Sequence, residues 1–143
     1  MTNDKTTKNL TYPFGKHHRS EIPSRSGKTL ENIELDNVLA GTVSPDDLAI
    51  QRVTLEAQAQ VATEAGYTEV AENLLRAAEM TNIPDDEILD MYEALRPGRS
   101  TYYQLLSLSQ RISSQFDAEL TGNYIREAAD AYRDTGLLKM EDD

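Results

Sequence analysis

The chain has 143 residues, no cysteine and a net charge of −11. The missing thiols exclude disulfides, zinc–thiolate and iron–sulfur sites and a cysteine nucleophile, and the acidic balance argues against nucleic acid as a partner of the body. The length suits one domain with a real core, and neither a membrane span nor the apolar stretch of a secretory signal stands anywhere in it.

Charge is uneven: residues 1–28 hold six Lys/Arg against two acids, and the remainder eight against twenty-three. A basic arm of this kind lies along its own acidic domain or along an acidic partner. Leu10, Tyr12, Phe14 and Ile22 are all it offers for packing, and Pro13, Gly15, Pro23 and Gly27 interrupt them. The expectation is an extended arm over 1–28, disordered over residues 1–9.

Thr29 or Asn32 starts a short helix holding Ile33, Leu35, Val38 and Leu39, ended by Gly41. Ser44-Pro45-Asp46-Asp47 spells a second start, with a cap, a proline and acids behind it. A helix over 53–65 carries Leu55, Ala59 and Ala62 and ends at Gly66. Thr68 caps the next, whose face of Val70, Ala71, Leu74, Leu75, Ala77 and Ala78 is small enough for close helix approach. Over 84–96, Pro84 fits the first turn, Asp85, Asp86 and Glu87 suit the positive dipole end, and Pro97-Gly98 stops the helix. Its stripe is Ile88, Met91, Tyr92 and Leu95. Ser100 caps a helix running to Phe116 through Leu105, Leu108 and Ile112, weakened at Ser113-Ser114-Gln115. A last helix over 117–134 presents Leu120, Tyr124, Ala128 and Tyr132, with Gly122 a soft spot and Gly136 the stop. The fold class is all-α: an open helical bundle over 29–138 with short extra helices, an extended N-terminal arm over 1–28, and an acidic tail over 139–143.

Chemistry is sparse. His17-His18 point to opposite sides of an extended arm and lack supporting carboxylates, so they are read as solvated or partner-contacting rather than as metal ligands. Asp46-Asp47 and Asp85-Asp86-Glu87 sit behind prolines at helix starts, where the dipole explains them. Tyr92, Tyr124 and Tyr132 stand at core spacing. Tyr102 and Tyr103 flank a helix start as candidate surface contacts. Arg96 and Arg99 flank a turn, where they clamp a phosphate or carboxylate, bond the last helix carbonyls, or reach an acidic partner. No catalytic, cofactor-binding or metal residue is assigned. On the residues alone, a stand-alone helical adaptor without enzymatic role remains an alternative.

The run from Ile83 to Thr101 is similar to one family's motif, and other segments follow it in order and spacing. They are Tyr12-Pro13, Gly27-Lys28 with Leu30, Ile33 to Gly41, Thr54-Leu55 with Gln58-Ala59, Arg76-Ala77-Ala78-Glu79 and Arg126-Glu127-Ala128-Ala129. Over residues 10–138 the chain resembles the small subunit of the adenosylcobalamin-dependent diol and glycerol dehydratases. Val53 stands where the family often has proline, and Tyr102-Tyr103 where it usually has acids. The resemblance implies a helical, non-catalytic subunit of a hydro-lyase that turns 1,2-diols or glycerol into aldehydes by radical elimination of water. It implies large and medium subunits as partners, assembled as a dimer of heterotrimers with the main contact on the large subunit. Adenosylcobalamin is then bound by those subunits and not by this chain. Tyr12 and Phe14 are the expected anchors of the arm, with Tyr102, Tyr103, Arg96 and Arg99 as further interface candidates. Some relatives carry a longer N-terminal extension for microcompartment targeting; the short run ahead of Leu10 favours a free cytoplasmic enzyme here.

Overall fold

The structure, a computed structural model, describes residues 10–140. The expected disorder over 1–9 and the acidic end of the tail, 141–143, lie outside the described residues. The described chain is all-α, with one isolated antiparallel bridge between Pro23 and Thr29. In chain order the helices are α1 (Phe14–His17), α2 (Leu35–Leu39), α3 (Pro45–Leu48), α4 (Arg52–Glu64), α5 (Thr68–Met80), α6 (Asp85–Ala94), α7 (Tyr102–Phe116) and α8 (Glu119–Thr135). A single 3-10 turn, Leu30–Asn32, precedes α2. Contacts divide the chain into two compact units at Ala78/Glu79, inside α5, rather than at the arm–body boundary near residue 28.

In the first unit the arm is folded, not simply extended. The Tyr12-Pro13 bond is cis, Phe14 opens α1 and is buried at 7% exposure, and its ring meets His18 edge-on. The expectation failed because one turn of helix needs no amphipathic repeat, only an anchor, and Phe14 supplies it. Further on, the Arg25 amide donates to Ala49 O at 2.7 Å and Gln51 Nε2 donates to Ser24 O at 2.7 Å. The alanines behave as their size predicts. Ala59, Ala62 and Ala71, from α4 and α5, form a buried cluster with Leu74 and Leu75 packed against it. α4 ends at Gly66, whose φ of +83° suits a residue without a Cβ. Tyr67, not Thr68, precedes α5 and accepts its first backbone bond, from Ala71 N–H at 3.0 Å.

The second unit is built on α7 against α8. Ile83, Met91, Leu108, Ile112, Ala118 and Ile125 form its core, with Met80, Ile88, Ala94, Leu95 and Phe116 packed around it. Ile112 and Ile125 are fully buried, each worth about 2–3 kcal/mol of apolar transfer. Three local readings change. Pro84 sits just before α6 rather than in its first turn, with ψ of 149°. Thr101, not Ser100, caps α7: its Oγ1 accepts from Gln104 N–H while Gln104 Oε1 accepts from Thr101 N–H, a reciprocal box. Ser100 Oγ instead donates to Ala94 O at 2.8 Å, closing the end of α6. The face of α8 also turns by one residue. Thr121, Gly122, Ile125 and Ala129 are buried, whereas Leu120 and Tyr124 are exposed. Gly122 is the cause: a Cβ there would stand 2.8 Å from Ser109 O and collide with Ser113 Oγ. Ser109 Oγ donates to Gly122 O at 2.7 Å, so the two helices touch at backbone distance and only small residues fit between them. Tyr92, expected in the α6 stripe, is 63% exposed, and Ile83 takes the core position ahead of the helix.

Candidate functional site

Two buried carboxylates, Asp47 and Glu79, each gather a polar cluster. In the first unit Asp47 is buried at 6% exposure and acts as a hub. It accepts from the Ser44 amide at 2.6 Å, from Ser44 Oγ at 3.1 Å, from Lys28 Nζ at 2.9 Å and from Ser26 Oγ. The Ser26 hydroxyl, the Ser44 amide and the Lys28 ammonium hold its carboxyl well below the ordinary carboxylate range. Lys28 Nζ also donates to Thr42 O, and Arg25 pairs with Asp46 at 2.6 Å. The basic arm therefore does lie along acids of its own unit. An apolar cavity of about 370 Å³ opens beside this hub, walled by Phe14, Ile22, Leu30, Ile33, Leu48 and Ile50.

In the second unit Glu79 is buried at 6% exposure. Its carboxylate accepts from Leu120 N–H at 2.9 Å, Thr121 N–H at 2.7 Å and Thr121 Oγ1 at 2.7 Å. It caps α8 from across the unit, because Ala118 stands at the N-cap and has no oxygen to do so. Sequence reasoning quoted Glu79 only as part of a motif. The available signal was an acid in the last turn of α5, where the dipole disfavours it.

The predicted interface residues fall in both units. Tyr12 is 68% exposed, but Phe14 is turned inward and its ring packs within its own unit, so it is not a free anchor. Arg96 and Arg99 come together on Glu93, at 3.0 and 3.2 Å. The turn that carries them is pinned by Gly98 N–H to Leu137 O at 2.8 Å and by Tyr132 Oη to Leu95 O at 2.6 Å. Tyr102 is engaged within the unit: its hydroxyl donates to Asp130 at 2.8 Å, and the Arg133 guanidinium lies 5.0 Å from its ring centre. The Asp130 bond, with desolvation, raises the phenol above its ordinary value. Tyr103 packs edge-on against Tyr102 and is 74% exposed.

The histidines are not both solvated. His18 Nε2 accepts from Thr11 N–H at 2.9 Å, so its proton sits on Nδ1 and goes to Glu21 at 2.9 Å. Among the described residues no group of three His, Asp or Glu side chains converges to hold a metal ion, and no helix is long and apolar enough to cross a membrane. The surface is richer than the interior in large apolar groups: Leu35, Leu39, Leu48, Leu89 and Tyr103 are each more than 60% exposed.

Leu55, Leu105 and Leu108 are buried, whereas Leu35, Leu39, Leu48 and Leu89 stay on the surface. Comparison with known proteins identifies the family. The family model described as dehydratase small subunit matches residues 7–139. The chain belongs to the dehydratase small subunit family. It is 38% identical over 137 residues to the propanediol dehydratase small subunit of Citrobacter freundii, covering 96% of this chain and 80% of that one. It is 39% identical over 131 residues to the propanediol dehydratase small subunit of Salmonella typhimurium (strain LT2), covering 92% and 76%. Membership of this family implies other subunits as partners and accounts for the motif order from Tyr12-Pro13 to Ala129.

Proposed function

We propose that this chain is the small, non-catalytic subunit of a coenzyme-B12-dependent propanediol/glycerol dehydratase, and that it binds and stabilises the large catalytic subunit. The observation that carries the reading is the match to dehydratase small subunits along nearly the whole chain. The large apolar side chains left on its surface support it. The assembly is a dimer of heterotrimers in the cytoplasm, with the main contact on the large subunit.

Adenosylcobalamin belongs to the other subunits in this reading. The described residues do not fit it: both ring nitrogens of His18 are engaged within the chain, and His17 is exposed with no carboxylate group converging beside it. The buried carboxylates Asp47 and Glu79 are fully used by internal donors. In this reading no step of the reaction is routed through this chain, and its effect on activity is exerted through assembly.

Reconstitution tests the reading. Large and medium subunits are expressed with and without this chain, and aldehyde formation from propane-1,2-diol and glycerol is measured with added coenzyme. Activity is expected to fall sharply when the chain is left out and to return when it is added back. Undiminished activity without it would refute the proposal.

A further inference from the structure

We propose that the stretch from Leu30 to Val53 is the docking surface for the large subunit, which meets it with an apolar ridge flanked by Lys or Arg side chains. The inference rests on the function proposed above and names the surface that performs it. α2 is the starting point. It buries none of its residues, yet Leu35 and Leu39, four apart on one helix face, are 71% and 76% exposed. A five-residue helix that buries none of its residues has no reason of its own to carry leucine at both positions. Leu48, Ile50 and Val53 extend the exposed apolar character to the end of the stretch. Single exposed apolar residues are ordinary, but this density within one segment is not. The cavity walled in part by Leu30, Ile33, Leu48 and Ile50 lies within the same stretch and is large enough to receive a side chain. Exposed leucines and a pocket for an anchor within one segment are what a protein interface core uses.

Charge selects the occupant. Glu31, Glu34 and Asp36 are exposed beside these leucines and make no ion pair with any described residue. The rim is therefore acidic. A second copy of this chain would set these carboxylates against their own kind, on a molecule already carrying −11. A different subunit with a basic rim satisfies both the apolar centre and the acidic border.

The test uses full-length chain co-expressed with tagged large subunit and medium subunit, and reads competition between variant and wild type for retention on the large subunit. L35E/L39E alters residues outside the unit's core, so its circular dichroism and urea midpoint are expected to match wild type. Its retention is expected to fall about 30-fold, the scale of losing interface hot spots. Leu89→Glu, an equally exposed position on α6, is expected to compete as wild type does. Glu34→Lys with Asp36→Lys is expected to weaken retention at low salt more than at high salt. If wild type is retained and L35E/L39E competes equally well, the surface is wrong while the function stands. If wild type is not retained at all, both fall. Self-association of the wild type that L35E/L39E abolishes, with retention unchanged, would assign the face to a second copy and overturn the proposal.

Discussion

Replacing Glu79 with alanine removes the acceptor of the Leu120 and Thr121 amides in the first turn of α8. The Thr121 amide is buried and its partner is the carboxylate at 2.7 Å; the Leu120 amide, at 2.9 Å, is partly accessible and regains water. A buried donor left unpaired costs about 1–3 kcal/mol. Loss of a helix cap costs about 0.5–2 kcal/mol. The relief of a desolvated carboxylate offsets part of both, leaving a net loss of about 2–4 kcal/mol. With a urea dependence of about 2 kcal/mol per molar, the midpoint should drop by about 1–2 M. Glu79→Gln keeps one carbonyl oxygen and should lose about half as much. The assay is urea unfolding followed by far-ultraviolet circular dichroism, with Thr121→Val in a double-mutant cycle. Glu79 and Thr121 should couple, since they share a hydroxyl bond at 2.7 Å. A Glu79→Ala variant within about 0.5 kcal/mol of wild type, with no coupling to Thr121, would show that the carboxylate does not cap α8.

Gly122→Ala places a Cβ 2.8 Å from Ser109 O, so it should cost about 1–3 kcal/mol and lower the melting temperature, although alanine is the better helix former. A stabilised Gly122→Ala variant would contradict the close α7–α8 approach. Asp47 is held below its ordinary 3.8 by Ser26, Ser44 and Lys28, so the unfolded chain takes up its proton first as pH falls. Its stabilising contribution is complete above about pH 5 and is lost as pH drops through the depressed folded value. The stability gap between wild type and Asp47→Asn, measured by urea unfolding at successive pH values, should be flat near neutrality and shrink in acid; a gap that widens in acid would contradict this. Tyr102 should ionise above its ordinary 10.0, and Asp130→Asn should bring it down; the difference in tyrosinate absorbance between wild type and Tyr102→Phe reads it directly. A Tyr102 titration unmoved by Asp130→Asn would mean the bond is not formed in solution.

Helix ends were legible where one residue carries the reason. Gly66, Gly98 and Gly136 all take positive φ at stops placed from the sequence. Ala59, Ala62 and Ala71 were legible as buried positions of α4 and α5, whereas Val70 of the expected α5 face is exposed. The face of α8 was misjudged by weighting large residues, Leu120 and Tyr124, when close contact with α7 selects small ones, Thr121, Gly122 and Ala129. Glu79 and Asp47 were hidden for another reason. The donors to Glu79 lie 41 and 42 residues away; Asp47 has Ser44 close by in sequence, but Lys28 and Ser26 lie 19 and 21 residues away, and no local pattern announces that they will bury it. Phe14 was assigned to a partner because aromatic side chains so often anchor interfaces, whereas the fold buries it within its own unit. Family membership was legible in the order of short motifs, while the interface stays outside any pattern of one chain because half of it belongs to another.

The proposed role of this chain is to hold another polypeptide. Native mass spectrometry of the full-length tagged chain, purified after co-expression with the large and medium subunits, tests it most directly. The account predicts one assembly containing all three polypeptides in equal copies; a tagged chain recovered alone, with the other two subunits assembled without it, would contradict it.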